Sequence, residues 1–184
     1  MENNINKNEK KEDIGRYTKL QDDIGKQGWL FYDAPFKCAR NIAKRTTGDK
    51  VLDLGGGCGT MAKVIEAITD KDVFVHNSNL YRTGIDSNDF DTVYTSHVLE
   101  HVDDPLKVVK ESIRISKKRI IHVVPEGYTQ DINLGSKHLY EFNRGSFMGL
   151  MAAAVEGMRN IEIAEFDIIQ DLHINSLICV LLKA

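Results

Sequence analysis

The stretch Val51 to Thr60, VLDLGGGCGT, constrains the fold more than any other part of the chain. Three apolar residues enclose a carboxylate, Asp53, and four of the next five residues are glycine. A short aliphatic run of this kind reads as a buried strand. Glycines placed directly after it supply backbone angles that other residues adopt only under strain, and they leave a bare backbone that a ligand can approach. The segment therefore demands a strand that turns sharply into a helix, the unit from which α/β sheets are built.

The rest of the chain repeats that alternation. KVLDL, DVFVH, FDTVYTS and RIIHVVP are short β-branched or aromatic runs bounded by polar residues or glycine, and each predicts a buried strand. Between the last two, DDPLKVVKESIRIS predicts a helix, with Asp104 as N-cap, Pro105 in the first position and Leu106, Val109 and Ile113 at helical spacing. APFKCARNIAKRTTGDK predicts a helix followed by a turn at Gly48, and Phe147, Leu150, Met151, Ala154 and Val155 mark another apolar helical stripe. The runs NIEIAEFDI and NSLICVLLK are joined by a short polar link around Gln170 to His173, which predicts an antiparallel hairpin. The pattern implies an α/β fold with helices on both faces of the sheet and ligands beyond the C-terminal strand ends.

Length and charge narrow the class. The 184 residues fit one domain with its own core. The polar start MENNINKNEKKED lacks the apolar core of a signal peptide, so residues 1–13 are expected to be a disordered tail and 14–184 a single domain. A net charge of −3 and the lack of a basic face argue against a nucleic-acid partner. Every apolar run is too short to span a membrane. Three widely spaced cysteines make neither a disulfide framework nor a metal pattern, and the reduced cytoplasm is the expected compartment.

The glycines do not fit the common phosphate motifs. Gly55, Gly57 and Gly59 alternate, but a dinucleotide fingerprint requires its third glycine or an alanine one place later, at Thr60. A phosphate-cradling loop requires Lys then Ser or Thr after the last glycine, where this chain has Thr60, Met61 and Ala62. A carboxylate beside a bare turn instead suits an amino acid moiety with a free ammonium group. The plainer reading is a strand-to-helix turn that binds nothing.

VLDLGGGCGT resembles the first motif of the class I S-adenosylmethionine-dependent methyltransferases. FDTVYTSHVLEHVDDP is similar to the fourth-strand segment of the branch that carries SHVLEHV, RIIHVVPEG to the fifth strand, and HLYEFNRGSFMGLM to the segment and helix before the final hairpin. The resemblance runs from Trp29 to the C-terminus. It implies a Rossmann-like sheet of about six mostly parallel strands, closed by an antiparallel hairpin. It further implies methyl transfer from S-adenosylmethionine to a small polar acceptor, with no nucleic-acid or membrane partner. Gly55, Gly56, Gly57 and Gly59 would face the cofactor backbone-first, with Asp53 near its amino acid end and Ser96 and His97 lining the pocket.

Between Thr60 and Phe90 the chain is shorter than the family pattern, which places there a second strand ending in the acid that holds the ribose hydroxyls, then a helix and a third strand. Only DVFVHNSN is strand-like here. The favoured reading makes it the third strand, with the ribose strand missing and Asn79 near the adenine-side position. The alternative makes it the second strand, with Asn77 replacing the acid. Either departure leaves room for a protein that keeps the fold without the activity and serves as a binding or regulatory partner.

His97, Glu100 and His101 fall at i, i+3 and i+4 and would share one face of a helical turn. Some family branches use a Glu-x-x-Glu-His version of this spacing for metal, whereas here the first position is His97. The expectation in this branch is that the segment lines the cofactor pocket and holds no metal. His138 and Tyr140 follow the fifth strand, where the family places substrate-facing groups, and His138 is a candidate general base. Trp29, Phe31 and Tyr32 are candidates either for a lid or for helix packing. The sequence assigns no catalytic residue.

Overall fold

The computed structural model describes residues 33–127, 138–170 and 175–184. The candidate tail, and the Trp29, Phe31 and Tyr32 cluster, lie outside those residues, as does most of the link before the last strand. Six strands form one sheet: β1 (Lys50–Leu54), β2 (Asp72–His76), β3 (Phe90–Ser96), β4 (Ser116–Pro125), β5 (Ile161–Ile169) and β6 (Ser176–Lys183), in the order β2-β1-β3-β4-β6-β5. The first four are parallel, and β6 runs antiparallel between β4 and β5. The chain moves outward from β1 to β2 on one side and to β3 on the other. A crevice therefore opens at the C-terminal ends of β1 and β3, the usual ligand position in such sheets.

Helices α1 (Asp33–Ala43) and α2 (Thr60–Thr69) contribute Cys38, Ala39, Ile42, Ala62 and Ile65 to a core on one face of the sheet. Helices α3 (Pro105–Ile115) and α4 (Arg144–Val155) contribute Val108, Val109, Ile113, Phe147, Met151 and Ala154 to the core on the other. α3 begins where the sequence predicts: Asp104 Oδ1 accepts the Lys107 amide, and Pro105 occupies the first turn, where its missing N–H is harmless. Asn143 and Ser146 close a reciprocal capping box on α4. β4 starts three residues before the apolar run, at Ser116, because Ser116 pairs with Phe90 while Lys117 and Lys118 stay exposed. Two solvent-facing lysines hide that extension from any apolar pattern.

The interior also holds polar groups that are well partnered. His122, fully buried on β4, sits between Thr95 Oγ1 at 2.8 Å and Ser112 Oγ at 3.2 Å. Burial holds this imidazole neutral, down to about 3. Glu111 accepts from the Thr83 amide and hydroxyl and from Arg114, which draws its carboxyl down to about 2 despite partial burial.

One expectation is corrected. DVFVH is hydrogen-bonded directly to β1 in parallel register, Asp53 opposite Val75 and Leu54 opposite His76. It thus occupies the second-strand position, and the missing element is the strand that would lie outside it. Spacing along the sequence favoured the other assignment, but spacing does not report which neighbour a strand pairs with. Asn79 is accordingly not at a strand end; its Oδ1 accepts the amides of Tyr81 and Arg82 and closes a turn.

Candidate functional site

The glycine turn follows β1 and leads into α2. Gly57 has φ +55°, and a Cβ built there meets nothing within 4 Å, so this backbone faces open space. Gly56 is needed for a different reason: a Cβ there would land on the Asp53 carboxylate. Gly55 packs against Val98 from the loop after β3, and Gly59 N-caps α2 with a left-handed backbone. No side chain caps α2, so amides of its first turn remain to be satisfied by something else. The N-terminus of a helix with such amides and a positive dipole end favours a carboxylate or phosphate.

Asn77 stands just past the end of β2 and grips the turn from the side. Its Oδ1 accepts the Gly57 amide at 2.8 Å and its Nδ2 donates to the Gly57 carbonyl at 2.6 Å. The residue in the position of the ribose acid therefore holds the turn in shape with its own amide.

Asp53 lies beneath this turn, 1% exposed. Burial pushes its carboxyl up to about 7, only partly offset by the Tyr94 hydroxyl opposite it on β3. That hydroxyl approaches without completing a hydrogen bond of good geometry, because Asp53 Oδ2 and Tyr94 Oη both remain unpartnered. Ser96 Oγ, at the end of β3, is likewise buried and unpartnered, as are both oxygens of Glu100. Buried polar atoms are nearly always hydrogen-bonded. Here Asp53 Oδ2, Tyr94 Oη, Ser96 Oγ and both Glu100 oxygens lie toward the C-terminal ends of β1 and β3.

Beyond Ser96 the chain turns through His97, whose φ of +54° is uncommon outside glycine. Its amide donates to the Val123 carbonyl, and its Nε2 lies 3.3 Å from Ser176 Oγ. The side chain keeps 42% exposure, as a wall of the crevice. A single 3₁₀ turn, Leu99–His101, then buries Glu100 completely. The Glu100 carbonyl accepts the amides of Leu139 at 2.7 Å and Tyr140 at 3.3 Å, which brings the segment after β4 back over the end of β3. The Tyr140 hydroxyl donates to the Asp103 carbonyl.

The structure thus brings Asp53, the four glycines, Ser96 and His97 to one end of the sheet and leaves Asn79 in a separate turn. Sequence reasoning missed the engagement of Tyr94 with Asp53 and reached Asn77 only as an alternative.

A family model described as a methyltransferase domain matches residues 27–151, more than half of the chain. The protein belongs to this family, and its domain is of the class I type that uses S-adenosylmethionine. No curated protein sequence matches the chain significantly. Its fold is similar to that of a SAM-dependent methyltransferase from Aquifex aeolicus, at TM-score 0.64 and 14% identity over 94% of this chain and 99% of that one. It is also similar to the 1,6-didemethyltoxoflavin-N1-methyltransferase of Burkholderia thailandensis, at TM-score 0.62 and 14% identity over 93% and 88%. A putative methyltransferase from Haloferax volcanii, solved with a methyltransferase activator, gives TM-score 0.61 and 15% identity over 94% and 96%.

Proposed function

We propose that this protein is an active methyltransferase that uses the crevice at the ends of β1 and β3 to methylate a small polar acceptor. The observation that carries the reading is the buried Asp53 carboxylate, whose Oδ2 has no hydrogen-bond partner, under a glycine turn whose Gly57 faces open space. These residues fit the amino acid end of the cofactor. Asp53 provides negative potential for an ammonium group, and the uncapped first turn of α2 provides amide donors for a carboxylate. Ser96 and His97 form the wall toward β3. When bound, S-adenosylmethionine supplies an electrophilic methyl group. The chain contributes alignment of that methyl with an acceptor. The family resemblance and the small net charge of −3 support a small-molecule acceptor.

A second reading, a non-catalytic protein that keeps the fold for binding or regulation, is favoured by one observation: Asn77 replaces the ribose acid. Calorimetric titration with S-adenosylhomocysteine separates the two. Saturable one-to-one binding supports the enzyme, and no binding supports the alternative.

A further inference from the structure

Three of the six histidines, His97, His101 and His138, converge on the single buried carboxylate of Glu100. We propose that Glu100, His101 and His138 form a binding site for one divalent transition-metal ion of the imidazole-preferring kind, such as Zn²⁺ or Co²⁺.

The placement is built by the backbone. Glu100 and His101 are consecutive in one 3₁₀ turn, and two amides from the segment after His138 bond to the Glu100 carbonyl. One ligand atom from each of Glu100, His101 and His138 lies within 4.8 Å of the others. His101 Nε2 is 3.8 Å from Glu100 Oε1, and the His101 and His138 rings meet edge-on with centroids 4.7 Å apart. Ligand bonds of about 2.0–2.2 Å place the corners of a tetrahedron roughly 3.3–3.6 Å apart. The trio therefore has to close by about an ångström, within reach of side-chain rotation.

Glu100 supplies the second, independent observation. It is fully buried, and neither oxygen has a hydrogen-bond partner. A buried carboxyl without partners costs several kcal/mol unless it is neutralised or coordinated. A dication at this place would satisfy both oxygens together.

Two imidazoles with one carboxylate select Zn²⁺, Co²⁺ or Ni²⁺ over the oxygen-seeking Mg²⁺ and Ca²⁺. Three protein ligands leave a coordination position open, as in exchangeable rather than structural zinc sites. His97 approaches the same Glu100 oxygen at 3.7 Å through Nδ1 while Nε2 faces Ser176, and it stands as a neighbour that orients the carboxylate. The proposed site departs from the expectation that this segment holds no metal, and it does not depend on methyl transfer.

The test uses full-length protein prepared without an affinity tag, stripped with a chelator and dialysed. Titration with Co²⁺ alone, followed by visible absorption, is expected to saturate at one ion per chain with intense bands of low coordination number, and Zn²⁺ is expected to displace it. Glu100→Gln and His138→Ala should each weaken Co²⁺ at least tenfold, while His76→Asn leaves it unchanged. Circular dichroism and S-adenosylhomocysteine titration of the metal-free variants show whether they still fold. The proposal falls if the parent takes up no stoichiometric Co²⁺, if a folded His138→Ala or Glu100→Gln variant binds it like the parent, or if Mg²⁺ binds more tightly than Co²⁺.

Discussion

Asp53→Asn should make the free protein more stable and its cofactor site worse, and the first effect should depend on pH. Burial raises the Asp53 carboxyl from 3.8 to about 7. Its folded value lies above its unfolded value, so between those limits the native state keeps a proton that the unfolded chain releases. Stability is therefore lost as pH rises through this window and is constant above it. At about 1.4 kcal/mol per unit, the full window corresponds to about 4 kcal/mol. Asparagine keeps the shape and carries no such charge. The stability difference between variant and parent should be near zero at pH 3, open through pH 6 and level off by pH 8, read as urea midpoints at the three values. In the same variant, S-adenosylhomocysteine should bind about ten- to a hundredfold more weakly at pH 8, the loss of one charge-assisted interaction of about 1.5–3 kcal/mol. A difference that is the same at all three pH values refutes the buried-charge argument. Unchanged affinity refutes the place of Asp53 in the cofactor site.

Gly56→Ala puts a methyl group on the Asp53 carboxylate and should destabilise by about 1–3 kcal/mol, most of it recovered in the Asp53→Ala/Gly56→Ala double variant; additive losses in urea unfolding would disprove the contact. Because the Asn77 amide is engaged with Gly57, removing the ribose hydroxyls should alter affinity less than about fivefold, under 1 kcal/mol. Calorimetry comparing S-adenosylhomocysteine with its 2′,3′-dideoxy analogue checks this, and a loss beyond tenfold would show that some group holds the ribose. His122 has a folded value near 3, below its unfolded one, so its contribution is complete above about pH 6.5 and is lost as pH falls. His122→Gln should therefore lose about 2 kcal/mol less stability than the parent between pH 7 and 5 in urea titrations.

The sheet was legible in the sequence because its strands are short, apolar and separated by caps and turns with specific chemistry. Asp104 with Pro105 marked the start of α3, and the apolar stripe of Phe147, Met151 and Ala154 marked α4. Strand order was only partly legible, because pairing is a long-range property. Nothing in DVFVHNSN distinguishes a strand beside β1 from one further out, and that choice decides whether Asn77 or Asn79 reaches the glycine turn. The glycine motif was legible as a turn, but the separate demand behind each glycine was not, since it depends on Val98 crowding Gly55 and Asp53 crowding Gly56. The convergence of His138 on Glu100 was invisible for the same reason: 37 residues separate positions that backbone hydrogen bonds bring together.

The distribution of satisfied and unsatisfied polar groups argues that the crevice is built for ligands rather than loosely packed. The same interior buries His122 on β4 with a partner on each ring nitrogen, and Glu111 on α3 with amide, hydroxyl and guanidinium donors. Yet Asp53 Oδ2, Ser96 Oγ and both Glu100 oxygens, all at the C-terminal ends of β1 and β3, are left without partners. Each such group destabilises the free protein by about 1–3 kcal/mol, and His97 adds an unusual backbone angle at the same place. These penalties share one end of one sheet, where a zwitterion and a dication would relieve them. Ligands that do so should stabilise the protein by more than their contact area alone would give. Additive shifts in unfolding temperature with S-adenosylhomocysteine and Co²⁺ would place the relief at two separate groups, Asp53 and Glu100; a shift from one that abolishes the other would place both in a single site.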